Sequence, residues 1–425
     1  LISASCRTRL FYGWYVLAAS FVILFFNAGA RFSFGVIFKP MIEELGWSRS
    51  EISAAFFLNT TVYAISLVAV GRLYDRYGPK WVLILSSILL AAGFAMTSVI
   101  NAYWQFLIGY GLLAAVGLGG TSIPLIAALM SKWFERWRGL AISLALSGNS
   151  VGQFVLIPLF SDTVAEYGWR PPYLAIALIM LGVNVLLAAW VIKGDPHDLG
   201  QAPFGQRPRQ DTSNAKGRAV LKDGPRDMGL REAMRTRSFW LFNIAMFICG
   251  SGDFLTATHL IPMVTDFGVS SSTAGSMLAW YGLLSLLGML VAGPASDVLG
   301  NKIPIALTFA LRVLLFLLII QYQTPLAFYA FALAFGFTYL ITAPLTPTLI
   351  GRLYGFSHVG ILSGFITTIH HLGGGFWTYL GGWIFDETGS YHWIFVISAG
   401  TALVAVLCTL LIAERRHEAL KPGLP

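Results

Sequence analysis

Gly71-Arg-Leu-Tyr-Asp75-Arg-Tyr-Gly78-Pro-Lys80 returns later in the chain as Gly293-Pro-Ala-Ser-Asp297-Val-Leu-Gly300-Asn-Lys302. Gly71, Asp75, Gly78 and Lys80 each recur 222 residues on, and Gly46 and Ser48 recur at the same offset as Gly268 and Ser270. In a chain of 425 residues this spacing means two copies of a unit about half the chain long. Each copy is a series of apolar spans. Weakly matching halves of that kind are a construction of membrane carriers.

Composition sets the solvent. Soluble domains carry about 25% charged residues; this chain carries 11%, with 56% hydrophobic residues. The bilayer is therefore the expected medium. Three cysteines (Cys6, Cys249 and Cys408) are too few and too scattered for a disulfide framework or a metal site, and no cofactor is expected. The first apolar run, from Phe11, has spanning length and no small-residue cleavage site, so it does not read as a signal peptide. The chain begins at Leu1 rather than Met, so residues ahead of it are expected.

Windows of about 20 apolar residues give twelve spans. They fall at 12–38, 50–71, 81–100, 104–130, 138–161 and 171–192, then at 239–264, 273–295, 303–321, 325–349, 359–384 and 391–413. The predicted fold is an all-α membrane protein, twelve transmembrane helices in two pseudo-symmetric six-helix bundles. The bundles are residues 1–192 and 238–425. A cytoplasmic linker at 193–237, rich in Pro, Gly, Arg and Lys, joins them, with a short surface helix near 230–235.

The formal charge of +8 could suit a nucleic-acid partner, but its placement reads as topology. With the N-terminus inside, inner segments outside the linker hold 13 basic residues: Arg7, Arg9, Arg72, Arg76, Lys80, Lys132, Arg136, Arg138, Lys302, Arg352, Arg415, Arg416 and Lys421. Outer segments hold only Lys39, Arg49 and Arg170. Both termini are thus expected in the cytoplasm, with the lipid bilayer and no nucleic acid as partner.

The repeated loop has a physical reading. Asp75 and Asp297 sit where a helix meets the cytoplasm, near a helix N-terminus and arginines such as Arg76, which favours a carboxylate. Gly71 and Gly78 allow close helix approach and a tight turn. Gly71, Asp75, Arg76, Gly78, Asp297 and Gly300 are read as gating rather than substrate-contacting residues.

Charges inside the membrane cost several kcal/mol on most estimates, so each is a functional candidate. They are Arg31, Asp253, His259, Arg312, His370 and His371. Arg31 and Asp253 stand 222 residues apart, so the repeat puts opposite charges at equivalent places on two helices. They are expected to attract, with Arg31 holding an anion and Asp253 coupling a proton. A static ion pair is the structural alternative. His259 could share the proton or simply bond a neighbouring helix, and Pro262 is expected to end or kink its helix. Arg312 reads as a buried structural Arg. Near the eleventh span the offset becomes 221, which pairs Asn149 with His370 as inward-facing polar residues, Gln153 one turn further on. Gly and Pro mark the fourth and tenth spans as broken or bent, and Tyr281, Phe335 and Tyr339 could form an apolar wall beside a substrate, though plain packing is the commoner role of such rings.

The first copy of the loop resembles the G-x-L-x-D-R-x-G-x-[KR] signature of the major facilitator superfamily. Phe11-Tyr-Gly13-Trp14-Tyr-Val resembles the entry motif of its monocarboxylate-transporter and oxalate/formate-antiporter branch. Ser33-Phe-Gly-Val, Gly46-Trp47-Ser48-Arg49 and Phe385-Asp386-Glu-Thr-Gly389-Ser-Tyr391 are similar to bacterial members. The resemblance implies the major facilitator fold and a latching role for the loop. It also implies a carboxylate-engaging cation near Arg31. The branch's charged eighth helix is missing, because Thr273 to Ala295 contains no charged residue.

Together these readings point to a secondary transporter, not an enzyme. The expected substrate is a small carboxylate of lactate or pyruvate type, moved with a proton by alternating access. The expected setting is a monomer in the bacterial inner membrane. An organic-anion exchanger, an exporter of other small molecules and a non-transporting sensor are the alternatives. No metal-ligand spacing, nucleophile elbow or phosphate loop supports an embedded enzyme.

Overall fold

A computed structural model describes residues 11–205, 228–355 and 358–413, apart from the side chains of Arg138 and Asp297. Cys6, the terminal basic residues Arg7, Arg9, Arg415, Arg416 and Lys421, and linker positions 206–227 lie outside the described residues.

Backbone N–H and C=O groups in hydrocarbon have only each other to bond, so the apolar runs close into helices. Six are α1 (Gly13–Leu45), α2 (Arg49–Tyr77), α3 (Pro79–Ser98), α4 (Tyr103–Trp133), α5 (Gly139–Tyr167) and α6 (Arg170–Trp190). Six more are α7 (Arg237–Asp266), α8 (Ser271–Leu299), α9 (Lys302–Gln321), α10 (Pro325–Tyr354), α11 (Val359–Thr388) and α12 (His392–Leu410). Eleven are long and apolar enough to cross a membrane. The exception, α11, is long enough at 30 residues, but its apolar run is diluted by glycines and by His370 and His371. The twelve-helix, all-α expectation holds.

Backbone geometry repeats with the sequence. Gly46 and Gly268 have φ of 70° and 80°, Gly78 and Gly300 have 79° and 78°, and Gly168 and Gly389 have 78° and 69°. A left-handed residue ends a helix at each place, which glycine does without a Cβ penalty. Ser270, Thr236 and Thr324 cap the N-termini of α8, α7 and α10 with their hydroxyls. Large apolar side chains such as Trp81, Trp190, Leu314 and Leu326 face outward, as lipid-facing residues do.

Of the two outcomes expected at Pro262, an end or a kink, the first is excluded, and the expectation for Gly71 needs correction. α7 runs through Pro262 and ends at Asp266, so the proline does not stop it. No atom lies within 4 Å of where a Cβ on Gly71 would stand, so close helix approach is not its role among the described residues. Asp75 and Arg76 are exposed in the last turn of α2, just ahead of α3. Asp297 is in the last turn of α8, and its side chain is outside what is described.

The helices form two compact units, residues 1–34 with 65–218 and residues 35–64 with 219–425. In the first, the chain leaving α6 folds back. Phe204 bonds through its backbone to Trp133, Glu135 and Arg136, and its ring packs among Phe11, Trp14, Phe134 and Trp137. In the second, a short helix at Leu230–Ala233 precedes α7, as the sequence suggests. Residues 35–64, the end of α1 and the start of α2, pack in this second unit.

Candidate functional site

The strongest concentration of charge at membrane depth is in the second unit. Cys249 and Asp253 are four residues apart on α7 and so share a face. That face meets α11 closely, because a Cβ on Gly250 would overlap the carbonyl of His370 and one on Gly374 would overlap the Phe254 ring. Glycine at both places brings the His370 ring to Asp253, with Nε2 3.1 Å from Oδ2. The carboxylate accepts, so Nε2 carries the hydrogen.

Arg312 enters from α9. Its Nη2 is 2.6 Å from Asp253 Oδ1, Nη1 donates to the Cys249 carbonyl at 3.1 Å, and Nε and Nη2 donate to the hydroxyl and carbonyl of Thr338. The guanidinium also lies 4.7 Å over the Phe335 ring. Arg312 and Asp253 thus form a close ion pair. Arg312 and Asp253 side chains are 2% and 1% exposed. His370, at 15% exposed, is the least buried of the three.

Formal charges sort the roles. The carboxylate and guanidinium cancel and are locked in place. A neutral His370 leaves the cluster at zero, and a protonated one takes it to +1. Cys249 Sγ sits 3.5 Å from Asp253 Oδ2 and 3.6 Å from both Thr342 Oγ1 and Arg312 Nη1. Cys249, Asp253 and His370 have ligand atoms within 4.8 Å of one another. Arg312 touches two of the three, so the positive charge a metal would bring is already supplied.

The sequence-proposed residues distribute as follows. Asp253 and His370 come together. Their cation is Arg312, which the sequence gives only as a structural residue. Tyr281 is fully buried and stacks with Phe335 and Tyr339, at ring distances of 6.3 and 5.1 Å. The Tyr281 hydroxyl has no hydrogen-bond partner among the described residues. Arg31, on α1, and Asn149, on α5, are half-buried members of the first unit. Arg31 lies within electrostatic reach of Tyr110 on α4. His259 is apart from the cluster. It bonds the Tyr391 hydroxyl through Nδ1 and the Thr378 carbonyl through Nε2, both at 2.9 Å. Both ring nitrogens are thus engaged, one accepting and one donating.

Sequence reasoning missed Cys249, and it had no way to pair Arg312 with Asp253. The one available signal was that both are ionisable residues at membrane depth, where each needs a partner.

Comparison with known proteins agrees with this architecture. The family model described as Major Facilitator Superfamily matches residues 20–264 and again 242–424. The uncharacterized MFS-type transporter YcxA of Bacillus subtilis (strain 168) is 26% identical over 95% of this chain and 97% of its own length. Monocarboxylate transporter 13 of Bos taurus is 26% identical over 94% of this chain and 89% of its own. The oxalate:formate antiporter of Oxalobacter formigenes is 23% identical over 96% and 93%. Among solved structures, a bacterial homolog to the human lysosomal transporter Spinster, inward-facing and occupied, superposes with a TM-score of 0.72. It has 14% identity and covers 95% of this chain and 97% of its own.

Proposed function

The chain belongs to the Major Facilitator Superfamily, and from that premise we propose that it moves a small organic anion, a monocarboxylate, together with a proton by alternating access. The observation that carries this reading is the buried Arg312–Asp253–His370 cluster, one locked ion pair with a less deeply buried histidine against it. The names of two relatives, a monocarboxylate transporter and an oxalate:formate antiporter, favour a carboxylate as the cargo.

His370 takes a proton on the ring nitrogen not bonded to Asp253. Facing it are Asp253 and Cys249 from α7, with Arg312 of α9 behind them. His371 is beside it on α11 at 5.3 Å, with Nδ1 bonded to the Thr367 carbonyl. Protonation takes the cluster to +1 and creates an attraction for an anion. Loading the anion returns the site to neutrality, and a neutral site is cheaper to carry through a low-dielectric passage. Arg31 and Asn149 are proposed as further anion ligands on the strength of the sequence repeat, and Tyr281, Phe335 and Tyr339 as the apolar wall. The division into bundles at 1–192 and 238–425, both termini in the cytoplasm of a bacterium, and a monomeric state belong to the same proposal.

Uptake of labelled lactate, pyruvate and acetate into proteoliposomes, with and without an acid-outside gradient, tests it. His370→Gln keeps a donor for Asp253 but cannot titrate. It is expected to retain counterflow and to lose accumulation driven by the gradient. Accumulation equal to the parent's would overturn the coupling role of His370. Failure of every monocarboxylate to enter or compete would overturn the substrate class.

A further inference from the structure

At the end of α7 away from the loop at Gly300, residues 35–64 are held to α7 and α11 by a second polar network. Arg49, the first residue of α2 and 8% exposed, is at its centre. Its Nη2 donates to Asp266 Oδ2 at 2.6 Å, its Nη1 donates to the Tyr391 hydroxyl, and its guanidinium lies 3.6 Å over the Phe385 ring. Lys39 of α1 holds the other oxygen of Asp266 at 3.1 Å. The Asp386 carboxylate accepts the backbone N–H groups of Arg49 and Ser50, at 3.1 and 2.7 Å. A carboxylate so placed neutralises the positive end of the α2 dipole. The Tyr391 hydroxyl passes its own hydrogen to His259 Nδ1. Burial pushes the Tyr391 phenol well above its ordinary pKa, so it remains a donor at physiological pH.

Below the charges runs a seam built for close contact. A Cβ on Gly382 would come within 2.7 Å of the Arg49 carbonyl and of Ser53 Oγ, and one on Gly375 would overlap Thr60 Oγ1. On α1, Gly35 lies against the Ala257 carbonyl in the same manner, at 2.9 Å. Such a seam is tight but carries little side-chain interlock, so it can part without repacking a core.

The two networks on α7 and α11 differ in permanence. The Asp253–Arg312 pair is closed to solvent, and separating it would strand two charges in hydrocarbon. The Asp266 side chain is 25% exposed and Lys39 33%, so water can replace their bonds at little cost.

We propose that Arg49 is the bolt of a gate: residues 35–64 leave α7 and α11 during the transport cycle when Arg49 releases Asp266, Tyr391 and Asp386, and they return when it re-engages. The proposal rests on the chain being a working transporter and on no particular substrate.

The test is accessibility. Thr60 is buried at the seam, and Thr60→Cys places a thiol there in the full-length protein in proteoliposomes. Labelling by a membrane-impermeant maleimide is measured, with the chain lacking that substitution as the blank. The parent should label slowly. Arg49→Ala and Asp266→Asn should each speed labelling roughly tenfold by shifting the closed–open population. Arg49→Asp should do the same, and adding Asp266→Arg should restore slow labelling. Arg49→Lys, which keeps the charge but not the fork, should fall between and remains readable if the alanine variant does not fold. Labelling unchanged by Arg49→Ala, Asp266→Asn and Arg49→Lys, or speeded by Arg49→Asp but not slowed again by the paired reversal, would overturn the bolt. Because no solute is transported in this measurement, its failure is distinct from an error about the monocarboxylate or the proton.

Discussion

The fourth and tenth helices break at matching places, and the two breaks are held by different chemistry. α4 is interrupted at Thr121–Ser122 and α10 at Leu340–Ile341. In the first unit the amide of Asn27 donates to the carbonyl and hydroxyl of Thr121, at 2.8 and 2.7 Å. The 222-residue offset puts Cys249 where Asn27 stands, and Cys249 meets Thr342, just past the α10 break, at 3.6 Å through sulfur. Asn27 has Arg31, the counterpart of Asp253, one turn further along α1, and the helix packing of this unit is small: Cβ atoms on Gly93 and Gly117 would press on the backbone of Ala114 and Leu90, so α3 and α4 touch main chain to main chain. Around Cys249 the equivalent region carries Arg312, Asp253 and His370. Duplication kept the skeleton in both halves, while ionisable chemistry was concentrated in one.

Removing the charge should therefore hurt far more than removing the amide. Arg312→Gln leaves Asp253 buried without a cation, a loss of about 3–5 kcal/mol. Thermal unfolding in detergent should show a large fall in stability, with uptake abolished. Adding Asp253→Asn should recover most of the stability and none of the proton coupling, because the stranded charge has gone but the site has lost its ion pair. A double variant as unstable as the single one would mean that Arg312 acts through Thr338 and Phe335 rather than through charge.

Asn27→Ala probes the first unit. Two buried hydrogen bonds go, and the Thr121 carbonyl at the helix break loses a donor, for about 1–3 kcal/mol. Uptake rate should fall in step with stability, while the pH dependence of uptake stays that of the parent. A shifted pH profile would show that the first half participates in proton coupling and would break the comparison.

The skeleton was legible in the sequence and the chemistry only in part. Apolar runs of spanning length and the recurrence of Gly46 and Gly78 at one offset can be read along the chain, and the helices and left-handed turns follow from them. Asp253 and His370 could be singled out because ionisable groups in hydrocarbon are rare. Their meeting depends on Gly250 and Gly374 letting α7 and α11 approach, which no pattern along one helix reveals. Arg49 reads in sequence as an outer topology charge within Gly46-Trp47-Ser48-Arg49, and Asp386 as part of a family-like segment. Both are functional candidates only once folding places them together. Arg31 shows the opposite failing: the offset linking it to Asp253 is a statement about symmetry, and Asp253 obtained its cation from α9 instead.

The smallest effect should come from Cys249→Ala, and that result would sharpen the comparison most. The thiol makes three contacts between 3.5 and 3.6 Å, each a weak sulfur interaction. The strong bond at this residue runs from Arg312 to its carbonyl, which alanine retains. Stability should therefore change by less than about 1 kcal/mol, and gradient-driven uptake should persist. The tenth-helix break would then need no side-chain amide, because Arg312 already ties α7 to Thr338 just ahead of it. A loss as large as that of Arg312→Gln would place the sulfur within the charged cluster itself, and the second half would then differ from the first by four residues acting together rather than by one ion pair and its histidine.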